Sequence, residues 1–250
     1  MKRPFRLDQA LVERGLCDSR EKAKRAILAG QVLVNGQSAA KPGDRVGLTD
    51  ELQVSAGEKF VSRGGFKMEH ALTHFKVTVS GLTVLDVGAS TGGFTDCLLQ
   101  HGATRVYAID VGRGQLAWKL RQDPRVVVME EVNARQLDRA RFPSPFVQPT
   151  LAVIDCSFIS LRLVLPPAVA LLPVGGKVVA LIKPQFEAGR QEVSRGAGVI
   201  RDPAVHARVL AEIETWVAGT AGLQWLGVTE SPLLGPAGNK EFLAYLERIR

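Results

Sequence analysis

Lys67, Asp155, Lys183 and Glu241 are widely separated in this 250-residue chain, yet each stands beside an apolar, strand-like run or a glycine-rich turn. Lys183 caps Leu181-Ile182 and precedes Pro184, which ends a strand ladder; Asp155 closes Leu151-Ala152-Val153-Ile154. Glu241 follows Gly235-Pro236-Ala237-Gly238-Asn239-Lys240, and Lys67 follows Ser62-Arg63-Gly64-Gly65-Phe66. A lysine at the end of an apolar strand is costly unless it is used or its stem lets the amine reach water. Singly, the four are ordinary surface charges. Together they can converge on the carboxyl edge of one sheet, two amines beside two carboxylates. A second constellation is Leu85-Asp86-Val87-Gly88-Ala89-Ser90-Thr91-Gly92-Gly93-Phe94, a strand running into a glycine-rich loop that opens a helix. Gly88 permits the tight turn, and Gly92 and Gly93 are expected to let the backbone approach a ligand. The next strand ends in Asp110, well placed to accept hydrogen bonds from a ribose diol. On glycine spacing alone a nicotinamide dinucleotide competes, but Ser90 occupies the position where that fingerprint needs its second glycine.

These residues need a scaffold, and from Leu82 onward the sequence alternates strand, loop and helix. Leu82–Val87, Arg105–Asp110, Val126–Met129, Leu151–Asp155 and Lys177–Ile182 read as buried strands. Helices are expected near 94–100, 114–121, 159–172 and 204–217, with later strands at 224–229 and 242–246. This rhythm predicts a parallel, doubly wound α/β sheet with its ligands at the carboxyl ends of the strands. Residues 187–201 are glycine-rich and charged, and are expected to form a mobile loop beside the site. Residues 1–58 have the texture of a small α+β domain. Leu7, Ala10 and Leu11 share a helical face, Ser19 offers an N-cap, a basic helix from Arg20 ends at Gly30, and Val32-Leu33-Val34 runs into an Asn35-Gly36 hairpin turn. Residues 59–66 are expected to be a linker and 67–250 the larger domain.

Composition bounds the function. At 46% hydrophobic residues the chain can build a sizeable core, which excludes wholesale disorder. The balance of 32 Lys+Arg against 25 Asp+Glu, net +7, favours a polyanionic partner, nucleic acid or an anionic membrane surface. Residues 1–36 alone hold eight basic and four acidic side chains. Cys17, Cys97 and Cys156 form neither a disulfide framework nor a zinc spacing, which suits a reducing cytosol. The N-terminal run lacks a signal-peptide core, and the longest apolar stretch, Leu161–Leu172, is short and interrupted by Pro166 and Pro167. A cytoplasmic protein is expected. His70 and His74 lie four apart but lack a zincin glutamate or an obvious third ligand, so no metal is expected.

The pattern Asp86-x-Gly88-x-Ser90-x-Gly92 resembles the first motif of S-adenosylmethionine-dependent methyltransferases. Asn133-Ala134, after the third strand, then offers a contact to an adenine edge, with a helix cap at Asn133 as the alternative. In such folds the end of the fourth strand faces the transferred methyl. Here it reads Asp155-Cys156-Ser157-Phe158 and lacks the prolines of amino-group methyltransferases. Cys156 would suit a thiolate mechanism, but strand alternation turns it away from the face used by Asp155. Lys67, Asp155, Lys183 and Glu241 resemble, in order and setting, the Lys-Asp-Lys-Glu tetrad of FtsJ-like ribose 2′-O-methyltransferases. The strings SRGGFK, VLDVGASTGGFTD, DCSFISL, LIKPQFE and GNKEFL resemble the TlyA (haemolysin A) branch of rRNA methyltransferases. The run from Arg6 to Gly36 resembles the RNA-binding domain named after ribosomal protein S4. Family members often carry tryptophan where Phe60 stands.

The resemblance implies S-adenosyl-L-methionine as cofactor, ribosomal RNA or an assembled ribosomal subunit as partner, and transfer to a ribose 2′-OH, cytidine being the expected nucleotide. It implies catalytic roles for Lys67, Asp155, Lys183 and Glu241, with Lys183 as the base. An ordinary lysine, of pKa about 10.4, is protonated at neutral pH, so burial and the nearby Lys67 are expected to favour its neutral form. Cofactor contacts are expected from Asp86, Gly88, Ser90, Gly92, Gly93, Phe94, Asp110, Asn133 and Ala134. RNA contacts are expected from Arg6, Arg20, Lys22, Lys24, Arg25 and Asn35, through phosphates. A non-catalytic RNA-binding factor and, from the family's other label, a membrane-active haemolysin are the alternatives.

Overall fold

Five apolar runs become the strands β1 (Thr83–Val87), β2 (Arg105–Ile109), β3 (Val126–Met129), β4 (Leu151–Ile154) and β5 (Lys177–Ile182). With β6 (Leu223–Glu230) and β7 (Phe242–Arg248) they form one sheet ordered β6-β7-β5-β4-β1-β2-β3. The first five are parallel, whereas β7 lies antiparallel between β5 and β6. The chain runs outward from β1 to β3, then returns to place β4 on the other side of β1. The strand order therefore reverses between β1 and β4, where open α/β sheets bind ligands. The computed structural model describes residues 4–39, 41–55, 59–220 and 222–250.

Both sheet faces are covered, which is why the strands are apolar throughout. Leu85, Tyr107, Ile154, Ala180 and Ile182 point to one core, beneath α4 (Leu161–Ala170) and α7 (Pro203–Gly219). Val84, Val106, Val153, Leu181 and Leu243 point to the other, with α1 (Gly64–His74) and α2 (Gly93–Gln100). Side chains alternate along a strand. Continuing that alternation past the strand ends puts Asp155, Lys183 and Glu241 on the α1 side and Cys156 on the α4 side. Register adds the second coordinate. Val87 pairs with Ile154 and Ile182 with Phe242, so Gly88 adjoins Asp155 and Lys183 adjoins Glu241.

Two expectations change in the larger unit. The helix expected at 114–121 shrinks to α3 (Trp118–Arg121) because the Glu130 carboxylate accepts from the amides of Gly114, Gln115 and Leu116 and holds them as a loop. Residues 187–201, expected to form a loop, follow the helical turn α5 (Pro184–Glu187) and contain α6 (Arg190–Arg195). Glu187 ties this segment to α4 by accepting from Ser160 Oγ and Leu161 N, and the buried Asn239 amide accepts from Ile200 N and donates to the Gly198 carbonyl. Pro166 and Pro167 lie inside α4 without ending it.

The chain divides into two compact units, Met1–Lys59 and Phe60–Arg250. In the smaller one, helices Leu7–Glu13 and Arg20–Leu28 pack Leu7, Leu11, Ala23 and Ile27 against Val32, Val46 and Leu52. Ser19 caps the second helix at Lys22 N, and Asn35 and Gly36 both have positive φ, as the two-residue turn from Val32–Val34 to Gln37–Ser38 requires. The 59–66 segment, expected to be a linker, belongs from Phe60 onward to the larger unit. Phe60 is 1% exposed, sits edge-on to Phe66 with centroids 5.2 Å apart, and fills the space a Cβ on Gly65 would need. The next residue, Val61, donates its N–H to the buried Asp96 at 2.8 Å. Phe60→Ala should therefore destabilise the larger unit by about 3–5 kcal/mol; urea unfolding monitored by near-ultraviolet circular dichroism measures this, and a loss below about 1 kcal/mol would place Phe60 outside the core.

Candidate active site

The α1 side of the carboxyl edge gathers the four dispersed charges into two ion pairs. Lys67 Nζ lies 2.5 Å from Glu241 Oε2, and Lys183 Nζ lies 2.6 Å from Asp155 Oδ1. Lys183 Nζ also donates to Ser157 Oγ at 2.9 Å. Both amines are 7% exposed and Glu241 1%. Burying charge is tolerated when it is paired and hydrogen-bonded. Each amine has its own carboxylate. Gly235 makes room for one of them, since a Cβ there would fall 2.4 Å from Glu241 Oε1. The four residues, with Ser62, Arg63 and Phe94, line a cleft of about 280 Å³.

A second cavity of about 570 Å³ adjoins the first, sharing Gly88, Ser90, Asp155 and Ser157 with it. Its far wall carries Asp110, Asn133 and Ala134. Asp110 is oriented by two backbone amides, Ser90 N on Oδ2 at 2.8 Å and Gly112 N on Oδ1 at 2.7 Å. A carboxylate has about four acceptor positions, so Asp110 keeps capacity for a diol. Asn133 Oδ1 accepts from Arg135 N at 3.0 Å as a cap, and the residue also lines the cavity.

The glycines also let protein approach protein, while Gly88 and Gly93 line the smaller cleft. A Cβ on Gly88 would fall 2.7 Å from the Asp155 carbonyl, one on Gly92 2.3 Å from Leu120, and one on Gly93 2.3 Å from Ser62 Oγ. Gly88 and Gly92 are also at positive φ. Gly92 and Asp86 line neither cavity, and Phe94 lines the smaller cleft. Asp86 is wholly buried; one oxygen accepts from Thr95 Oγ1 at 2.6 Å and the other has no partner. Burial pushes this carboxyl up to about 7.

Some residues stand out only in three dimensions. Ser157 repeats the face of Asp155 two positions on, a signal the alternation contains. Phe158 is 91% exposed, has φ of +62°, and lies 5.2 Å from the ring of Phe186. A left-handed aromatic is strained, and such strain concentrates at functional sites. Glu130, immediately after β3, holds the loop beyond Asp110 and pairs with Arg121. Cys156 packs toward the α4 core, with its thiol pushed up to about 12 by burial and by the neighbouring Asp155 charge. His70 bonds Thr229 Oγ1 at 3.2 Å, and no metal-holding group of three or more His, Cys, Asp or Glu exists among the described residues.

In the smaller unit, Arg20, Lys22, Lys24 and Arg25 share the helix Arg20–Leu28, and Arg6 joins Arg20 through the buried Asp8, at 3.0 and 2.9 Å. Burial works to raise the Asp8 pKa, but the hydrogen bonds from Arg6 and Arg20 outweigh it and hold the carboxyl below its ordinary value. Lys22 pairs with Asp18 and Lys24 with Glu21, while Arg25 reaches the Glu21 carbonyl. Asn35 is structurally engaged: it accepts from Glu51 N and donates to Asp50, tying the hairpin turn to the residues just before the strand Leu52–Val54.

A doubly wound sheet with an antiparallel seventh strand, a glycine-rich β1 loop and an acidic residue ending β2 define the Rossmann-like methyltransferases as a class. The FtsJ-like methyltransferase model matches residues 60–248, and the S4 domain model matches residues 5–52. The chain is 45% identical over 248 residues to the 16S/23S rRNA (cytidine-2′-O)-methyltransferase TlyA of Mycobacterium tuberculosis, covering 98% of this chain and 91% of that protein. It is 51% identical over 242 residues to YqxC of Bacillus subtilis, covering 96% and 85%. A solved structure from Streptococcus thermophilus, described as a hemolysin, matches with a TM-score of 0.73 at 45% identity, covering 100% of this chain and 90% of its own. The chain belongs to the FtsJ-like methyltransferase family, in the branch that includes TlyA and hemolysin A, and carries an N-terminal S4 domain.

Two outcomes follow from the titrating groups. With a thiol near 12, only roughly one Cys156 in ten thousand is ionised at pH 8. Native protein should therefore resist iodoacetamide at Cys156 on peptide mapping, and labelling there before unfolding would contradict the raised thiol pKa. The folded-state pKa of Asp86 lies above its unfolded value, so its contribution to stability is complete below about pH 4 and is lost as pH rises through about 7. Asp86→Asn removes this dependence. The difference between wild-type and variant melting temperatures should change steadily across that window in the variant's favour, and a pH-independent difference would refute the shift.

Proposed function

We propose that this enzyme uses S-adenosylmethionine to methylate the ribose 2′-OH of ribosomal RNA, at a cytidine. The observation that carries this reading is that the Lys67–Glu241 and Lys183–Asp155 pairs line one cleft, with Asp155 shared with the adjoining cavity. The name of the Mycobacterium tuberculosis relative supports the choice of RNA and nucleotide. The larger cavity falls within the usual size of cofactor pockets. Asp110 would hold the cofactor's ribose diol, Asn133 and Ala134 its adenine edge, and Gly88 and Ser90 the neighbouring backbone contacts. When bound, S-adenosylmethionine supplies an electrophilic sulfonium methyl group.

The chain's residues supply the rest. A ribose hydroxyl is a poor nucleophile and must lose its proton as it attacks. Lys183 Nζ takes that proton as the 2′-oxygen attacks, and the bound cofactor would supply the methyl group and keep the electron pair of its carbon–sulfur bond. Asp155 and Glu241 hold the two amines in line, while Lys67 orients the ribose and its phosphate. A cationic sulfonium meeting a developing alkoxide disperses charge, so positioning contributes more than stabilisation of a new anion. Arg6, Arg20, Lys22, Lys24 and Arg25 of the smaller unit would engage phosphates, giving salt-sensitive docking on rRNA or a ribosomal subunit. Reaching a buried methyl donor requires an unpaired or flipped nucleotide. We read residues 1–58 as the docking domain, and the substrate implies a cytoplasmic location. No helix among the described residues is long and apolar enough to cross a membrane.

The test is labelled-methyl transfer to ribosomal subunits, followed by mapping of alkali-resistant ribose positions. Lys183→Ala should lower transfer about 10²–10⁴-fold while RNA binding in a filter assay persists. Label on a base would overturn the reaction class, and undiminished transfer would remove Lys183 as the base.

A further inference from the structure

We propose that Ser157 is the positioning residue that aims the Lys183 lone pair at the ribose hydroxyl, an inference that rests on the ribose-methyltransferase reading. To accept a proton, an amine must be neutral, and Nζ then carries two hydrogens and one lone pair in a tetrahedral arrangement around its bond to Cε. Rotation about that bond is free unless a hydrogen is held in a directional bond. Nζ donates to Ser157 Oγ at 2.9 Å, whereas Asp155 Oδ1, 2.6 Å away, pairs with it by charge and has no hydrogen-bond partner. The Ser157 bond fixes one hydrogen, and the Asp155 charge disfavours a lone pair turned toward it, so one direction remains. Asp155 alone attracts the amine without holding a hydrogen and leaves the lone pair free to rotate.

The backbone is arranged for this second tether. Asp155 and Ser157 are two residues apart and share one face, whereas Cys156 between them packs into the opposite core. Phe158 then takes a φ of +62°, which turns the chain immediately after Ser157. Ser157 also lines both cavities, at the junction where methyl donor and hydroxyl acceptor meet. Lys183 is almost fully buried and Ser157 is exposed, so truncating the hydroxyl leaves the core intact.

Ser157→Ala and Ser157→Thr are compared with wild type for labelled transfer to ribosomal subunits, with kcat and KM determined for both substrates. The alanine variant should lose about tenfold in kcat, the scale of one hydrogen bond to a charge-bearing group. Its KM values should stay within twofold, and threonine, which keeps Oγ, should recover most of kcat. Alanine at wild-type kcat, or threonine as impaired as alanine, overturns the assignment of Ser157 while wild type still labels ribose. Wild-type protein that labels no ribose overturns the function reading and this assignment together.

Discussion

Two ion pairs sit where a sheet ends, and the surrounding structure exists to make that placement tolerable. Each amine is nearly sealed from water, and Glu241 is sealed completely. Removing such charges from solvent costs several kcal/mol per ion, recovered only when the partner is fixed at short range. Fixing these partners takes four elements: α1 for Lys67, the ends of β4 and β5 for Asp155 and Lys183, and the start of β7 for Glu241. The parallel core alone could not do it. It is β7, running against its neighbours, that brings its first residues to the carboxyl edge where every other strand brings its last.

The same edge is built by subtraction. Gly88 lets β1 pass the Asp155 carbonyl, Gly235 clears the Glu241 carboxylate, and Gly65 and Gly93 let α1 and α2 begin almost in contact beside Phe60 and Ser62. Loops that might otherwise drift are tied by single polar side chains: Glu130 beneath the loop beyond Asp110, Glu187 at the start of α4, and Asn239 between Gly198 and Ile200. Each of these groups is held by backbone amides or carbonyls, so the cavity walls are set by hydrogen bonds from the main chain. Strain is left at the rim, in Ser90 and Phe158.

The sheet was legible because buried strands flanked by turns leave continuous apolar runs, and period-two alternation foretold that Asp155 and Cys156 would part. The tetrad was legible because charged residues closing apolar strands are conspicuous. What the sequence hid were long-range partners. Nothing near Glu130 marks it as the acceptor for amides at 114–116, so a helix was expected where a loop is held. Gly92, which lines neither cavity, looks like a ligand glycine because close packing and close binding demand the same missing side chain. Phe60 looked like linker because its burial depends on Gly65 and Phe66, residues that the expected boundary at 66/67 assigned to the linker along with it.

The Lys67–Glu241 pair joins residues 174 positions apart. Long-range closures of this kind are late events in folding, since chain entropy opposes them until other contacts are in place. Until β7 docks against β5, Lys67 has no Glu241 carboxylate beside it, and a buried cation without its partner is penalised by about 3–5 kcal/mol. The α1 side of the sheet therefore cannot close fully around Lys67 before β7 arrives. Docking of β7 is thus the step that completes the cleft, and a chain interrupted upstream of Glu241 loses both the strand that joins β6 to the sheet and the carboxylate that pairs with Lys67.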